Sequence, residues 1–218
     1  MEDRRLYAFI DTGYTRGRPL GLLARQLCLG GADIIQLRAK NEPKALVRQF
    51  ADEFVQVCRE HGVISIINDH LDIALESGAD GCHLGQEDFF ETGHRQKSDL
   101  NSGGRPFILG LSSHAPDQAR QAVHAGADYV AIGPVYSTPT KPTTPAVTTT
   151  YVRWAAENLK VPWFAIGGIN LSNLDQVLSA GARSICVVSA ILNAPDVVEA
   201  CHEFKQRLTS HPIETIQS

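Results

Sequence analysis

No CxxC pair and no HxH or HExxH grouping occurs among the five cysteines and eight histidines of the chain, which removes the common ligand spacings of a zinc site. Cys28, Cys58, Cys82, Cys186 and Cys201 are scattered, mostly inside apolar runs where a small buried thiol packs, and a reducing cytoplasmic setting suits them. Runs of Lys and Arg are also missing. With a net charge of -4 and a pI near 6.0, no nucleic acid and no membrane surface is expected as a partner. No apolar stretch reaches the roughly 20 residues that span a bilayer, and MEDRRLYAFID lacks the positive-then-apolar order of a secretory signal. There is no GxSxG elbow for a serine nucleophile and no GxGxxG after the first apolar run.

What is present is alternation. At 218 residues and 43% hydrophobic, the chain can bury a full core, and one domain over 1–218 is expected. Leu6 to Asp11 reads as a strand, followed by helical spacing from Leu20 to Leu29 and a Gly30-Gly31 stop. Asp33 to Lys40 is a second strand, and Pro43 opens a long amphipathic helix that ends at Gly62. Ile64 to Asp69 and Gly81 to Gln86 are the next strands, separated by a helix from Leu71 to Ser77. Between Phe89 and Pro106 no apolar stripe is long enough to dock a helix firmly, so a short helix or a loop is expected. Later strands run from Phe107 to Ser113, Tyr129 to Gly133, Pro162 to Gly167 and Ser184 to Ser189. Their helices run from Ala115 to Ala125, Thr148 to Lys160, Leu171 to Ala180 and Pro195 to Leu208. The proline-rich PVYSTPTKPTTPAV, residues 134–147, suits neither helix nor central strand and reads as an active-site loop.

A short repeat supports this count. GAD recurs at Gly31, Gly78 and Gly126, with GAR at Gly181, each marking a helix stop just before a strand. Eight alternating units predict the α/β class and a (β/α)8 TIM barrel with its catalytic face at the strand C-terminal ends. A doubly wound open sheet ranks second, because the alternation runs evenly to the C-terminus.

That face collects the polar residues. Along QLRAK the period of two puts Gln36, Arg38 and Lys40 on one side and Ile35, Leu37 and Ala39 on the other. Charge facing a barrel lumen must be paired, so the set reads as a phosphate site, as a structural ion pair of Arg38 or Lys40 with Asp69 or Asp88, or as a strand that simply ends early. Asp69 and Asp88, after consecutive parallel strands, are candidate Mg2+ ligands. Asp72 and Glu87 compete with them, and Asp69 could instead cap the helix near Leu71. Asn68 can offer an amide to a phosphate or to the substrate. Ser112, Ser113 and His114 end the fifth strand without a third partner for a triad, so Ser112 is read as a hydrogen-bonding group. His83, inside a strand, reads as a core residue or a wall of the pocket. Thr138, Thr140 and Lys141 gain weight only from lying on the catalytic face. Gly167-Gly168 and Val188-Ser189 fall where barrels bind phosphate with backbone N–H groups, or where a tight turn and a cap would sit.

In order, QLRAK, INDHLDIA, GADGCHLGQED, LGLSSH, GADYVAIGPVYSTPTK, AIGGI and VVSAI are strung along the chain from residue 36 to residue 191, and this series resembles the thiamine-phosphate synthase family over nearly all of it. The resemblance implies a barrel enzyme that joins hydroxymethylpyrimidine diphosphate to thiazole phosphate, or its carboxylated form, releasing diphosphate and forming thiamine phosphate. By the same resemblance, Gln36 to Lys40, Asn68, Ser112 and Lys141 hold the pyrimidine diphosphate. Asp69 and Asp88 bind Mg2+, while Thr138 to Thr140, Gly168, Val188 and Ser189 hold the thiazole phosphate. Arg38, Lys40, Lys141 and Ser112 form the catalytic set, and a homo-oligomer is compatible with this reading. The rivals are a thiazole tautomerase on the same barrel and a non-catalytic thiamine-phosphate binder. Retention of Arg38, Lys40, both aspartates and TPTK disfavours the tautomerase, which has no diphosphate to neutralise.

Overall fold

Parallel pairing in strict chain order organises the molecule. A computed structural model describes residues 1, 3–138 and 145–210. Strands β1 (Leu6–Asp11), β2 (Ile34–Arg38), β3 (Ile64–Asn68), β4 (Gly81–Leu84), β5 (Ile108–Ser113), β6 (Tyr129–Ile132), β7 (Trp163–Ile166) and β8 (Ile185–Val187) pair with their sequence neighbours, and β8 closes on β1. The helices are α1 (Leu20–Leu29), α2 (Lys44–Glu60), α3 (Leu71–Glu76), α4 (Gln86–Glu91), α5 (Pro116–His124), α6 (Thr148–Asn158), α7 (Leu174–Ser179), α8 (Ser189–Leu192) and α9 (Val197–Ser210). This is the (β/α)8 barrel expected from the alternation, and the open doubly wound sheet is excluded by closure.

Most element boundaries fall within a residue or two of those expected; the largest departure is at α7, which begins at Leu174 rather than Leu171. The fourth strand stops at Leu84 rather than Gln86, because Gln86 already opens α4. The eighth stops at Val187 rather than Ser189, because Ser189 begins α8. In the weakly patterned stretch, α4 is followed by a 3-10 turn at Lys97–Leu100, capped reciprocally by Gln96 and Asp99. Only Leu100 of that turn is buried, in keeping with the missing apolar stripe.

Alternation along the strands separates two cores. Ile35, Leu37, Ile67 and Leu109 face outward onto the helices, where α2 buries Val47, Ala51, Phe54, Val55 and Cys58 at helical spacing. Tyr7, Phe9, Ile34, Ile66, Tyr129, Phe164 and Cys186 fill the lumen. Phe164 meets the rings of Tyr7 and Tyr129 edge-on at 5.4 and 5.5 Å. These side chains form the floor on which a ligand at the C-terminal face must rest.

At the opposite end, the GAD repeat has a mechanical role. Gly31, Gly78, Gly126 and Gly181 all have positive φ and turn the chain from a helix into an even-numbered strand. The following aspartate then accepts from the first amides of the preceding strand. Asp33 Oδ2 takes Arg5 N and Leu6 N at 2.8 and 2.9 Å, Asp80 Oδ2 takes Ser65 N at 2.8 Å, and Asp128 Oδ2 takes Leu109 N at 2.7 Å. Arg183 occupies the fourth position, where Ser184 Oγ instead donates to Arg4 O at 2.7 Å.

Candidate active site

A cavity of about 510 Å³ opens at the C-terminal ends of the strands. Every expected site residue among the described residues lines it: Gln36, Arg38, Lys40, Asn68, Asp69, Asp88, Ser112, Thr138, Gly168, Val188 and Ser189. Thr140 and Lys141 lie outside the described residues. Phe9, Ala131, Ile166, Ile169 and Cys186 add apolar wall.

β2 supplies the basic edge. Gln36 is buried at its level, Arg38 ends the strand, and Lys40 lies in the following turn. Arg38 is paired, but not with either of the aspartates considered from sequence. Its Nη1 lies 2.5 Å from Asp11 Oδ2, on the last residue of β1, while Asp11 Oδ1 accepts from Gly13 N at 2.9 Å. Lys40 Nζ sits 3.4 Å from Asp69 Oδ2, so the ion-pair reading holds for that lysine even as it lines the cavity.

Asp69 follows β3 in a three-residue turn, with φ of 63° and His70 N donating to Asn68 O at 2.8 Å. Aspartate tolerates this left-handed conformation better than most residues. Asp69 does not cap α3, whose cap position is His70 without a side-chain bond. Asp88 corrects the picture of two strand-end carboxylates, since it stands in the first turn of α4. Its carboxylate folds over Gly85, where a β-carbon would meet Asp88 Oδ2 at 2.5 Å. Asp72 is committed to Lys44 and Arg48 at 2.7 and 2.9 Å, whereas Glu87 lines the cavity. No group of three or more His, Cys, Asp or Glu side chains among the described residues is assembled to hold a metal. Asp69 and Asp88 both line the cavity, and two hard carboxylates suit a cation that takes its other ligands from water and phosphate.

Ser112 and Ser113 have different fates. Ser112 faces the cavity, with Oγ 2.9 Å from His83 Nε2. Ser113 points outward, bonded to the Tyr151 hydroxyl and to Ala115 O, and ties α6 to β5. His83 Nδ1 meets the Tyr129 hydroxyl at 3.0 Å, a phenol in the position where a triad would hold a carboxylate.

The Gly167-Gly168 pair has a packing reason of its own. Val135 N and Tyr136 N donate to Ile166 O and Gly167 O at 2.8 and 3.0 Å, drawing the start of the 134–147 segment onto the end of β7. A β-carbon on Gly167 would strike Pro134 Cβ at 2.4 Å, and one on Gly168 would strike Tyr136 Cβ at 2.8 Å. Both have positive φ.

A sequence profile described as thiamine monophosphate synthase matches residues 6–191. The chain belongs to the thiamine monophosphate synthase family. It is 47% identical over 207 residues to a thiamine-phosphate synthase of Thermus thermophilus, spanning 94% of this chain and 97% of that one. Identity to the thiamine-phosphate synthase of Halalkalibacterium halodurans is 40% over 214 residues, spanning 98% and 99%. Among solved structures, thiamine phosphate pyrophosphorylase from Pyrococcus furiosus superposes with a TM-score of 0.82 at 31% identity, covering 94% of this chain and 95% of that one.

Within the thiamine monophosphate synthase family's barrel, this chain also places Asp11, Gln86, His114 and Gln118 on the cavity or against its residues. Asp11 was within reach of sequence reasoning, since it ends a strand on the same edge as Asp69. His114 was legible only as the end of the fifth strand, and Gln118 not at all, because their places on the cavity depend on bonds from His114 N to Gln118 Oε1 at 2.7 Å and between His114 Nδ1 and Gly133 O.

Proposed function

We propose that this chain condenses hydroxymethylpyrimidine diphosphate with thiazole phosphate, or its carboxylated form, to give thiamine phosphate and diphosphate. Family membership over residues 6–191 carries the reading, and the gathering of the basic, acidic and glycine positions on one cavity supports it. We assign the pyrimidine diphosphate to Gln36, Arg38, Lys40, Asn68, Ser112 and Lys141. The thiazole phosphate is assigned to Thr138, Thr140, Gly168, Val188 and Ser189. Asp69 and Asp88 would hold Mg2+. When bound, the ion would supply positive charge beside the leaving diphosphate.

In this mechanism the bond from the pyrimidine methylene carbon to diphosphate oxygen breaks first. The thiazole nitrogen then attacks the cationic carbon, so no protein nucleophile is required. Arg38, fixed by Asp11, directs N–H donors at charge that grows on the departing oxygens, and Lys40 adds a mobile point charge. Phe9, Ala131, Ile166 and Cys186 line the cavity where the cation forms and exclude water that would compete with thiazole. We place the activity in one domain, with 134–147 as its active-site loop. A cytoplasmic setting fits the free thiols of Cys28, Cys58, Cys82, Cys186 and Cys201. Among the described residues, no helix is long and apolar enough to cross a membrane.

The deciding experiment incubates purified protein with both substrates, with and without Mg2+, and follows diphosphate and thiamine phosphate together. Stoichiometric, Mg2+-dependent appearance of both is expected. Thiazole phosphate binding without product would overturn the synthase reading.

A further inference from the structure

Along the floor of the cavity, five polar side chains from five strands form one continuous hydrogen-bonded line. Gln36 Nε2 donates to the Tyr7 hydroxyl at 2.6 Å, Tyr7 and Tyr129 hydroxyls are 2.8 Å apart, Tyr129 meets His83 Nδ1 at 3.0 Å, and His83 Nε2 meets Ser112 Oγ at 2.9 Å. Both tyrosines are almost fully buried. Burial pushes the two phenols well above their ordinary range, so each keeps its proton.

The line is built into the barrel rather than incidental. His83, Gly110 and Tyr129 are lateral neighbours across β4, β5 and β6. Gly110 leaves the gap through which His83 and Tyr129 meet, since a β-carbon there would lie 2.1 Å from Tyr129 Cζ. The imidazole stacks on the Tyr129 ring, with centroids 5.6 Å apart and planes at 24°.

Direction follows from proton counting. A phenol carries one proton, and a buried hydroxyl must place that proton on a partner. Tyr7 accepts from Gln36, so it donates to Tyr129; Tyr129 accepts from Tyr7, so it donates to His83 Nδ1. A neutral imidazole that accepts at Nδ1 carries its proton on Nε2, and donates it to Ser112 Oγ. The Ser112 proton is then left for the cavity.

We propose that Gln36, Tyr7, Tyr129 and His83 form a one-way relay that holds His83 as its Nε2–H tautomer and makes Ser112 a donor to an unprotonated ring nitrogen of the pyrimidine. His83 is thereby a positioning residue that acts through Ser112. This inference rests on the assignment of Ser112 to the pyrimidine site.

The test has a spectroscopic and a kinetic arm. On the wild-type protein, histidine 15N shifts are recorded at neutral pH, and His83 is assigned by the resonance lost in His83→Gln. A protonated Nε2 with an unprotonated Nδ1 is expected; an Nδ1–H tautomer or an imidazolium overturns the relay. Kinetically, His83→Gln places an amide donor near the original Nε2, whereas His83→Asn places it near Nδ1. His83→Gln should keep kcat within a fewfold of wild type, and His83→Asn should lower it roughly tenfold to hundredfold, with the KM for thiazole phosphate unchanged in both. Equal losses in the two variants overturn the proposal. Ser112→Ala, run in parallel, separates the two layers: undiminished kcat there removes Ser112 from the pyrimidine site, whatever tautomer His83 adopts.

Discussion

Asp11 and Arg38 end adjacent strands, and their side chains meet at 2.5 Å with only 5% and 15% of their surfaces exposed. The guanidinium assigned to the diphosphate is thus anchored before substrate arrives. Asp11→Asn removes the opposing charge and loosens the anchor together. The expected result is a kcat lowered about tenfold, a KM for pyrimidine diphosphate that does not rise, and a lower Tm. Steady-state kinetics would contradict this by showing a raised KM with unchanged kcat.

Asp88 lies over Gly85 in the first turn of α4 and lines the same cavity as Asp69. Asp88→Ala should weaken Mg2+ uptake in the presence of diphosphate, read by calorimetry, and lower kcat by orders of magnitude. Thiazole phosphate binding should hold. Equal loss of both affinities would undo the assignment of a metal ligand.

Gly168 has φ of 65° and backs directly onto Tyr136 and Ser137. Gly168→Val therefore strains the turn and displaces the segment behind it. A Tm lowered by several degrees and a KM for thiazole phosphate raised about tenfold are expected, the strain alone costing at least ~1 kcal/mol. An unchanged KM would place the phosphate elsewhere.

Legibility differed between fold and site for physical reasons. Periodicity and the GAD stops located all eight strands, because alternation and helix termination are local properties. The lumen face of QLRAK was readable for the same reason. Asp88 was placed on the correct edge but on the wrong kind of element, since the Gly85 turn that starts α4 is too short to leave a periodic signal. Arg38's partner lies outside INDHLDIA and GQED, at the end of β1, where Asp11 obeys the same strand-end rule. The relay along the cavity floor was opaque. Its members come from strands far apart in sequence, and only barrel closure brings Tyr7 to Tyr129.

Burial pushes Tyr7 and Tyr129 well above the ordinary tyrosine range, and Tyr151 up to about 12. A phenol with a raised folded-state pKa contributes stability that is full below the unfolded value of about 10 and lost as pH rises through the folded value. Ultraviolet absorbance should therefore show these tyrosines ionising together with loss of the far-ultraviolet dichroism. Full ionisation near pH ~10 with the fold intact would contradict their burial.

Asp33 accepts from Arg5 N, Leu6 N and Lys205 Nζ at the end of the barrel away from the cavity. Asp33→Ala should cost about 1–3 kcal/mol of stability by denaturant titration and leave kcat and both KM values unchanged. A kinetic effect as large as the loss of stability would show that the two ends of the barrel are coupled.

The three aspartate fastenings span only 28, 15 and 19 residues of chain, each joining a strand to the turn before its successor. Each can form as soon as the nascent polypeptide has made the two strands of its own pair. The last pair lacks such an aspartate, and its Ser184 reaches back 180 residues to Arg4. Loop-closure entropy makes that contact the costly one. Three of the four strand pairs are thereby fastened by contacts within themselves, and the fourth closes the barrel through a seam between residues 180 apart.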